Sequence, residues 1–224
     1  MPCQPLWVSS GAIAIIGLFP GDRPRLAMPL TQPRPTPESS ASSPWTDAAF
    51  MVLANDGHRY ELVNHQLIDL GNSGALHGYI CSTLMILLGS YIRSQKLGFL
   101  FDSSTGFKMQ NGNTRSPDLA FFAKNRLQGL TTLPTGFLEG APDLAVEVLS
   151  PGNTVEEIDG KITEYFANGT RLMWVINPKQ RYILVYRSPQ EPDRLLKTAD
   201  RLDGEAIIPG FSLLIAELFQ ELDF

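Results

Sequence analysis

The sequence feature that most constrains the fold is an apolar strand with a carboxylate near its middle, the run PDLAVEVLS at positions 142–150. Alternate side chains of a strand point to opposite faces, so Glu147 shares its face with the apolar residues Ala145 and Leu149. An ionised carboxylate in such surroundings is costly unless a positive charge pairs with it. We therefore expect Glu147 to be buried beside a cation.

A second strand of similar form, SPDLAFF at positions 116–122, carries Asp118, and Lys161 lies on the helix that follows the strand of Glu147. Mg²⁺ takes oxygen ligands, usually one or two carboxylates together with water and substrate phosphate. Asp118 and Glu147 can supply these carboxylates if their strands are neighbours, while Lys161 can stabilise developing negative charge or orient a water. The pattern predicts a site for Mg²⁺ or Mn²⁺.

Each of these residues also has a structural alternative that the sequence leaves open. Asp118, after a proline, is typical of a turn at the start of a strand. Glu147 can belong to a purely structural ion pair, and Lys161 taken alone is typical of a solvated helix residue. Asp143 also follows a proline and is a rival for the first ligand. It is separated from Glu147 by roughly 13 Å along the strand, which is too far for one small ion.

Two further residues are candidates for the same site. Glu61 lies in the strand predicted at 59–63 and is either an additional metal ligand or a surface residue paired with Arg59. His77 lies near the start of a long helix and either contacts a phosphate or is a capping or partly buried histidine. The sequence does not decide between these roles.

The composition predicts one folded domain behind a poorly ordered tail. The chain has 224 residues, of which 43% are hydrophobic, as is ordinary for a globular domain of medium size. Residues 1–44 are expected to be largely disordered because the stretch from Pro20 to Pro44 is rich in Pro, Ser and Thr. Met28 offers an alternative start, and the folded domain is expected to span residues 45–224. The one membrane-like segment, 11–19, is too short to span a bilayer, so no membrane association is expected.

The net charge and the cysteine content argue against several further classes of protein. The formal net charge of −5 argues against a protein that coats nucleic acid by charge alone, although a local basic cleft is compatible with it. Cys3 and Cys81 lie far apart, with neither a disulfide framework nor a Cys/His cluster of zinc spacing. We expect a reducing, cytoplasmic setting, with Cys81 as a small core residue of an amphipathic helix.

The order of helix and strand signals predicts a mixed α/β fold, with hairpins flanking the helices. The predicted elements are, in chain order, a short helix capped by Thr46, a hairpin around Asn64-His65, a long helix with Ser73 as its cap and Gly98 past its end, short strands near 99–102 and 106–109, the two carboxylate strands, a helix that begins with the capping-box pair Thr154 and Glu157 and ends at Gly169, a hairpin around 177–180, a short strand at 206–208 and a helix from Ser212.

Taken together, these residues resemble the PD-(D/E)XK nuclease superfamily and, within it, the large bacterial family called "putative restriction endonucleases", formerly a domain of unknown function. The resemblance covers roughly Trp45 to the C-terminus. Its most specific part is the Pro-Asp-Leu…Val-Glu-Val-Leu-Ser-Pro run followed by Lys-x-x-x-Tyr. The residues that carry it are Tyr60-Glu61-Leu62, His77, the run 116–120, the run 141–151, Lys161, Tyr165, Trp174 and Pro209-Gly210-Phe211.

The resemblance implies a restriction-endonuclease-like core, in which a four-stranded mixed sheet is flanked by helices and an N-terminal hairpin is added. It also implies that Asp118 and Glu147 are the metal ligands. In the simplest form of the superfamily the lysine lies two residues after the second carboxylate, where this chain has Leu149. In this family the lysine has moved to the following helix, at Lys161. The hairpin turn and Asn177 also differ from the Asp-Gly and Asp that relatives often carry.

We therefore predict a Mg²⁺-dependent endonuclease that hydrolyses phosphodiester bonds of nucleic acid, with double-stranded DNA as the substrate. A homodimer is expected, because two-fold symmetry matches that of the duplex. One alternative is a catalytically silent module of nuclease fold that binds nucleic acid or a protein partner. The other is a metal-free glycoside hydrolase that uses Asp118 and Glu147 as acid and nucleophile.

Overall fold

The computed structural model describes residues 45–54 and 58–220, so the predicted tail at 1–44 lies outside the described residues. Helices and strands are mixed along the chain, as expected. The helices are α1 (Asp47–Ala54), α2 (Ala75–Gln95), α3 (Val155–Ala167) and α4 (Ile215–Leu218), with a 3-10 turn at Lys124–Leu127. The strands are β1 (Tyr60–Val63), β2 (Gln66–Asp69), β3 (Gly98–Asp102), β4 (Phe107–Lys108), β5 (Thr114–Arg115), β6 (Leu119–Ala123), β7 (Leu138–Glu139), β8 (Leu144–Val148), β9 (Leu172–Asn177), β10 (Tyr182–Tyr186), β11 (Arg194–Lys197), β12 (Arg201–Asp203) and β13 (Ser212–Leu214).

The central sheet has the strand order β11-β10-β9-β8-β6-β3 and is mixed, as predicted. The pair β8 and β9 is parallel, because α3 forms the crossover between them. The other neighbouring strands are antiparallel. The two carboxylate strands are the neighbours β6 and β8, which meets the condition set for a shared site. The sheet has six strands, where the resemblance implies four.

Side chains of β8 alternate between two apolar layers. Val146 and Val148 belong to the layer that contains the buried residues of α2, whereas Ala145 belongs to the layer that contains Ile162 of α3. This is the alternation predicted from the sequence. Glu147 consequently faces α3 rather than α2.

A second sheet, in the order β2-β1-β5-β4-β7, carries the predicted N-terminal hairpin. The turn residues Asn64 and His65 have φ values of 50° and 64°. Positive φ at both central residues is the geometry of a two-residue type I′ hairpin turn, and Asn is among the residues that tolerate it. The hairpin prediction is confirmed. Through β1 and β5 this sheet contributes charged side chains beside α3.

Of the N-terminal caps predicted for α3 and α2, one is confirmed and the other is wrong. Thr154 Oγ1 accepts a hydrogen bond from the Glu157 N–H at 3.1 Å, so the predicted cap of α3 is confirmed. The predicted cap of α2 at Ser73 is wrong. The capping position is Gly74, which has no side-chain cap bond, and Ser73 lies one residue too early to serve.

The strand predicted at residues 206–208 is wrong, because a turn occupies these positions. Residues 206–208 form no strand, because the Ile207 and Ile208 N–H groups both donate to Gly204 O and close a turn. The strand in this region is β12, which pairs with β13. The helix expected from Ser212 begins at Ile215 instead. β11 was not predicted.

In the described part of the chain, α2 is long and apolar enough to cross a membrane by length and composition alone. The core helix of a soluble protein passes the same test. The buried residues Ile80, Leu84, Leu88 and Ile92 lie one or two turns apart and pack into the layer beside the central sheet. These four residues form an apolar stripe, which is typical of a helix packed on a sheet.

Gly98 tests the packing of β3 against β6. A Cβ at this position would clash with the carbonyl of Phe122 and lie 2.8 Å from the Phe121 ring. We expect Gly98→Ala to lower the free energy of unfolding by about 1–3 kcal/mol. Gly78→Ala is the matched control: it is exposed on α2 with open space around it, and it should raise stability by about 1 kcal/mol. Denaturant unfolding of both variants checks this, and equal midpoints would contradict the register.

Candidate metal centre

A buried ion pair joins β8 to α3. The Nζ of Lys161 donates to Glu147 Oε2 at 3.0 Å, and the Tyr165 hydroxyl donates to Glu147 Oε1 at 3.2 Å. Lys161 and Tyr165 lie one turn apart on α3 and therefore share its sheet-facing side. All three residues are buried. Glu147 thus has the cationic partner that its apolar strand requires.

The electrostatics of the pair follow from its burial. Burial raises the pKa of Glu147 to about 7; the charge of Lys161 opposes this shift, and the charges of Asp118 and Glu61 add to it. Burial acts to lower the pKa of Lys161, but the carboxylates of Glu147 and Glu61 outweigh it and raise that pKa above its ordinary value. Lys161 therefore stays an ammonium at neutral pH.

Asp118 lies opposite Glu147. It directly precedes Leu119, which pairs with Val146, so the antiparallel register continued by one residue places the two carboxylates across from each other. Asp118 Oδ2 accepts from the Val148 N–H at 2.8 Å and lies 3.0 Å from His77 Nε2. The partners of Asp118 therefore belong to β8 and α2, not to a turn at the start of its own strand. Within the described residues Oδ1 makes no hydrogen bond and is open to a ligand.

His77 connects Asp118 to a cysteine. Its Nδ1 lies 3.6 Å from the Sγ of Cys81, one turn further along α2. The side chain is 10% exposed and does not cap the helix. Of the predicted alternatives, the partly buried histidine is the one observed, with a carboxylate as its partner.

Cys81 differs from its prediction as a simple core residue. It packs against the layer beside α2 but is only half-buried, and its thiol contacts His77. Burial, with the charge of Asp118, raises the pKa of the thiol to about 12. The helical spacing of His77 and Cys81 was a signal in the sequence. No Cys/His cluster of zinc spacing was predicted, and the structure brings Asp118, from a distant strand, beside this pair.

Glu61 is 1% exposed and is not paired with Arg59, so the surface interpretation is wrong. It accepts from Arg115 Nη1 at 2.8 Å and from the Ser116 N–H at 3.0 Å, and its Oε1 lies 3.7 Å from Lys161 Nζ. Arg59 instead donates to a backbone carbonyl, that of Ser103, at 3.1 Å. Glu61 thus belongs to the cluster around Glu147.

The other partner of Arg115 was not foreseen. Arg115 Nε donates to Glu164 Oε2 at 2.6 Å, and the Asn113 side chain donates to Glu164 Oε1. Glu164 lies on α3 beside Tyr165, so Arg115 ties the hairpin sheet to the helix that carries Lys161. Nothing in the local sequence around Arg115 indicated this bridge, since its two partners come from distant elements.

Asp143 is not part of the cluster. Its carboxylate is held by Arg171 Nη2 at 2.7 Å and by the Ala123 N–H at 2.8 Å, with Arg126 Nη1 at 3.6 Å. It precedes β8, whereas Glu147 lies near the opposite end of that strand. Asp143 is therefore excluded as a rival ligand and instead anchors the start of β8.

The fold places this chain in the restriction-endonuclease-like class of mixed α/β proteins. A family model, Uma2, described as "Putative restriction endonuclease", matches residues 47–216, and the chain belongs to this family. Membership supports a nuclease function.

A protein from Anabaena variabilis, described as "a putative nuclease belonging to DUF820", has a crystal structure that resembles this one. The TM-score is 0.66 at 22% identity, over 79% of this chain and 98% of that chain. At this identity the likeness shows the fold. No curated protein sequence matches the chain.

Removing Arg115 tests the buried charge network. Arg115→Ala leaves the carboxylate of Glu61 buried with only the Ser116 N–H and the more distant Lys161 as partners. We expect a loss of about 3 kcal/mol in the free energy of unfolding, because an uncompensated buried charge is costly. The matched control is Arg187→Ala: its side chain is 43% exposed and binds Glu205 through two hydrogen bonds. This variant should lose less than about 1 kcal/mol. Equal losses in denaturant unfolding would contradict the network's importance.

Proposed function

We propose that the protein is an endonuclease that depends on a divalent metal, with Asp118 and Glu147 as the ligands of Mg²⁺ or Mn²⁺ and Lys161 as the neighbouring charge. The observation that supports this most directly is the Lys161 ammonium at 3.0 Å from Glu147, with Asp118 opposite Glu147 across two neighbouring strands. The family to which the chain belongs points to the same chemistry.

The donor atoms suit a hard cation. Carboxylate oxygens are the ligands that Mg²⁺ and Mn²⁺ prefer, and Asp118 Oδ1 is open while Oδ2 is held by Val148 and His77. Asp118, Glu147 and Glu61 are buried carboxylates that repel one another, and this repulsion favours the binding of a cation. When bound, a divalent ion supplies Lewis-acid chemistry: it polarises a phosphoryl oxygen and makes water more acidic.

Lys161 serves in this proposal as a fixed positive charge. The carboxylates of Glu147 and Glu61 raise its pKa, so beside them it carries its positive charge at neutral pH. Held between Glu147 and Glu61, its N–H groups can orient the attacking water and stabilise negative charge that develops on the phosphate. Tyr165 fixes the second oxygen of Glu147, so the carboxylate keeps one orientation.

Glu61 and His77 act in the proposal as positioning residues. Glu61 Oε1 lies 3.7 Å from Lys161 Nζ and adds a second carboxylate beside it, and Glu61 is itself held by Arg115. His77 holds Asp118 Oδ2 and so leaves Oδ1 for the ion. A role for Glu61 as an additional ligand requires that it give up part of its bond to Arg115.

We extend the proposal to double-stranded DNA as substrate and to a homodimer, since a two-fold symmetric pair presents one site to each strand. The family description as a restriction endonuclease supports the choice of DNA. The net charge of −5 makes local basic surface, rather than overall charge, responsible for binding.

Cleavage assays test the ligands. With Mg²⁺ or Mn²⁺ we expect nicking or linearisation of duplex DNA, loss of activity in EDTA, and at least a roughly 100-fold lower rate for Asp118→Asn and Glu147→Gln. Glu156→Gln is the matched control, because Glu156 is exposed in the first turn of α3. Equal cleavage by wild type and Glu147→Gln would remove the assignment. RNA and single-stranded DNA are tested alongside, and sedimentation equilibrium of the same sample checks the dimer.

Lys161→Met separates the charge role from the ligand role. We expect cleavage to fall by at least roughly 100-fold, while Mn²⁺ still raises the thermal unfolding midpoint, because Lys161 repels the ion rather than binding it. Lys179→Met, on an exposed turn, should change neither readout. Unchanged cleavage by Lys161→Met would contradict the role given to the ammonium. Wild-type protein that binds duplex DNA without a Mn²⁺ shift or cleavage would instead indicate the silent module.

A further inference from the structure

We propose that His77, Cys81 and Asp118 form a second cation position, one that takes a thiophilic divalent ion such as Zn²⁺ or Co²⁺. The position shares Asp118 with the proposed nuclease centre. It does not rest on nuclease activity, because it concerns binding of an ion by His77 and Cys81, neither of which is a ligand in the proposed Mg²⁺ site.

The three residues are brought together by the fold. One ligand atom of each lies within 4.8 Å of the others. His77 and Cys81 share one face of α2, while Asp118 arrives from the start of β6. The cluster therefore exists only when α2 is packed on the central sheet.

The distances suit a tetrahedral ion. Zinc bonds of about 2.0–2.1 Å to nitrogen and about 2.3 Å to sulfur place these two ligand atoms roughly 3.5 Å apart. His77 Nδ1 and Cys81 Sγ are already 3.6 Å apart. Asp118 Oδ2 contacts the other ring nitrogen, Nε2, at 3.0 Å, so the carboxylate has to turn from that nitrogen to join Nδ1 and Sγ on one ion.

The donor types decide which ion is selected. Thiolate and imidazole favour Zn²⁺ and Co²⁺, whereas Mg²⁺ prefers oxygen ligands alone. The pair of Asp118 and Glu147 offers only oxygen, so the two positions differ in selectivity although they share a carboxylate. Three protein ligands leave one coordination position for water.

A second observation also points to a ligand. The Asp118 side chain is only 9% exposed, yet its Oδ1 makes no hydrogen bond within the described residues. This oxygen is not among the buried atoms without a partner, so solvent reaches it and an ion can replace the solvent there. The Val148 N–H holds the other oxygen of the same carboxylate, so Asp118 is kept beside the pair before an ion arrives.

Binding exchanges a proton for the ion. Cys81 coordinates as the thiolate, so its Sγ–H bond breaks, the sulfur donates its electron pair to the cation, and the proton passes to the buffer. No oxidation or reduction takes place. The direct contact between His77 and Cys81 is replaced by two bonds to the ion.

Co²⁺ titration of the full-length protein, first stripped with EDTA, tests the proposal by a readout other than activity. We expect one equivalent of Co²⁺ to produce a thiolate-to-cobalt charge-transfer absorption together with the visible bands of a tetrahedral ion. Zn²⁺ should then bleach both. Absence of the charge-transfer absorption in the wild type would overturn the proposal.

Variants test whether Cys81 supplies the sulfur ligand and whether this cation position is distinct from the proposed Mg²⁺ site. Cys81→Ser should abolish the charge-transfer absorption and weaken Zn²⁺ binding at least tenfold by calorimetry, while thermal unfolding in EDTA confirms that it folds. Cys3→Ser is the matched control and should keep both, because the sequence has two cysteines. Glu147→Gln should also keep the absorption. The proposal fails if Cys3→Ser rather than Cys81→Ser removes the signal, or if Glu147→Gln removes it. Neither failure bears on DNA cleavage, which is assayed separately.

Discussion

The rest of the structure depends on the buried ion pair between Glu147 and Lys161. Each charge alone would be strongly unfavourable where it lies, one in the middle of the sheet and the other on the inner side of α3. The pair therefore couples the position of α3 to the register of β8. Tyr165 and Glu61 supply the additional contacts that such a pair needs to be tolerated.

Around that pair, negative charge exceeds positive charge. Glu61 and Glu147 lie beside Lys161, and Asp118 acts on it through its charge. Arg115 is shared between Glu61 and the more exposed Glu164. This imbalance appears in the pKa of Glu147, which burial and the neighbouring carboxylates raise to about 7. In our proposal a divalent cation completes this cluster. Its composition of oxygen donors on one side and His77 with Cys81 on the other divides it into two regions of different chemistry.

Several elements were predictable because they depend on residues close together in the chain. The hairpin turn at Asn64-His65, the cap of α3 by Thr154 and the alternation of β8 are all local properties. Two predictions were wrong although the contacts that decide them are also local. The apolar run at 206–208 closes a turn onto Gly204 instead of pairing as a strand. Cys81 has the helical position of a core residue, but its thiol contacts His77.

By itself, the sequence determined that Glu147 would lie on an apolar face and would need a positive partner, because strand alternation and the cost of burying charge require both. It also indicated Asp118 and Lys161 as candidate residues of the same site. Only the tertiary structure decided that Arg115 would bridge Glu61 and Glu164, that Asp143 would be occupied elsewhere, and that Cys81 would join His77 and Asp118. These contacts join residues far apart in the chain, so they depend on strand register and helix packing, which no local pattern specifies.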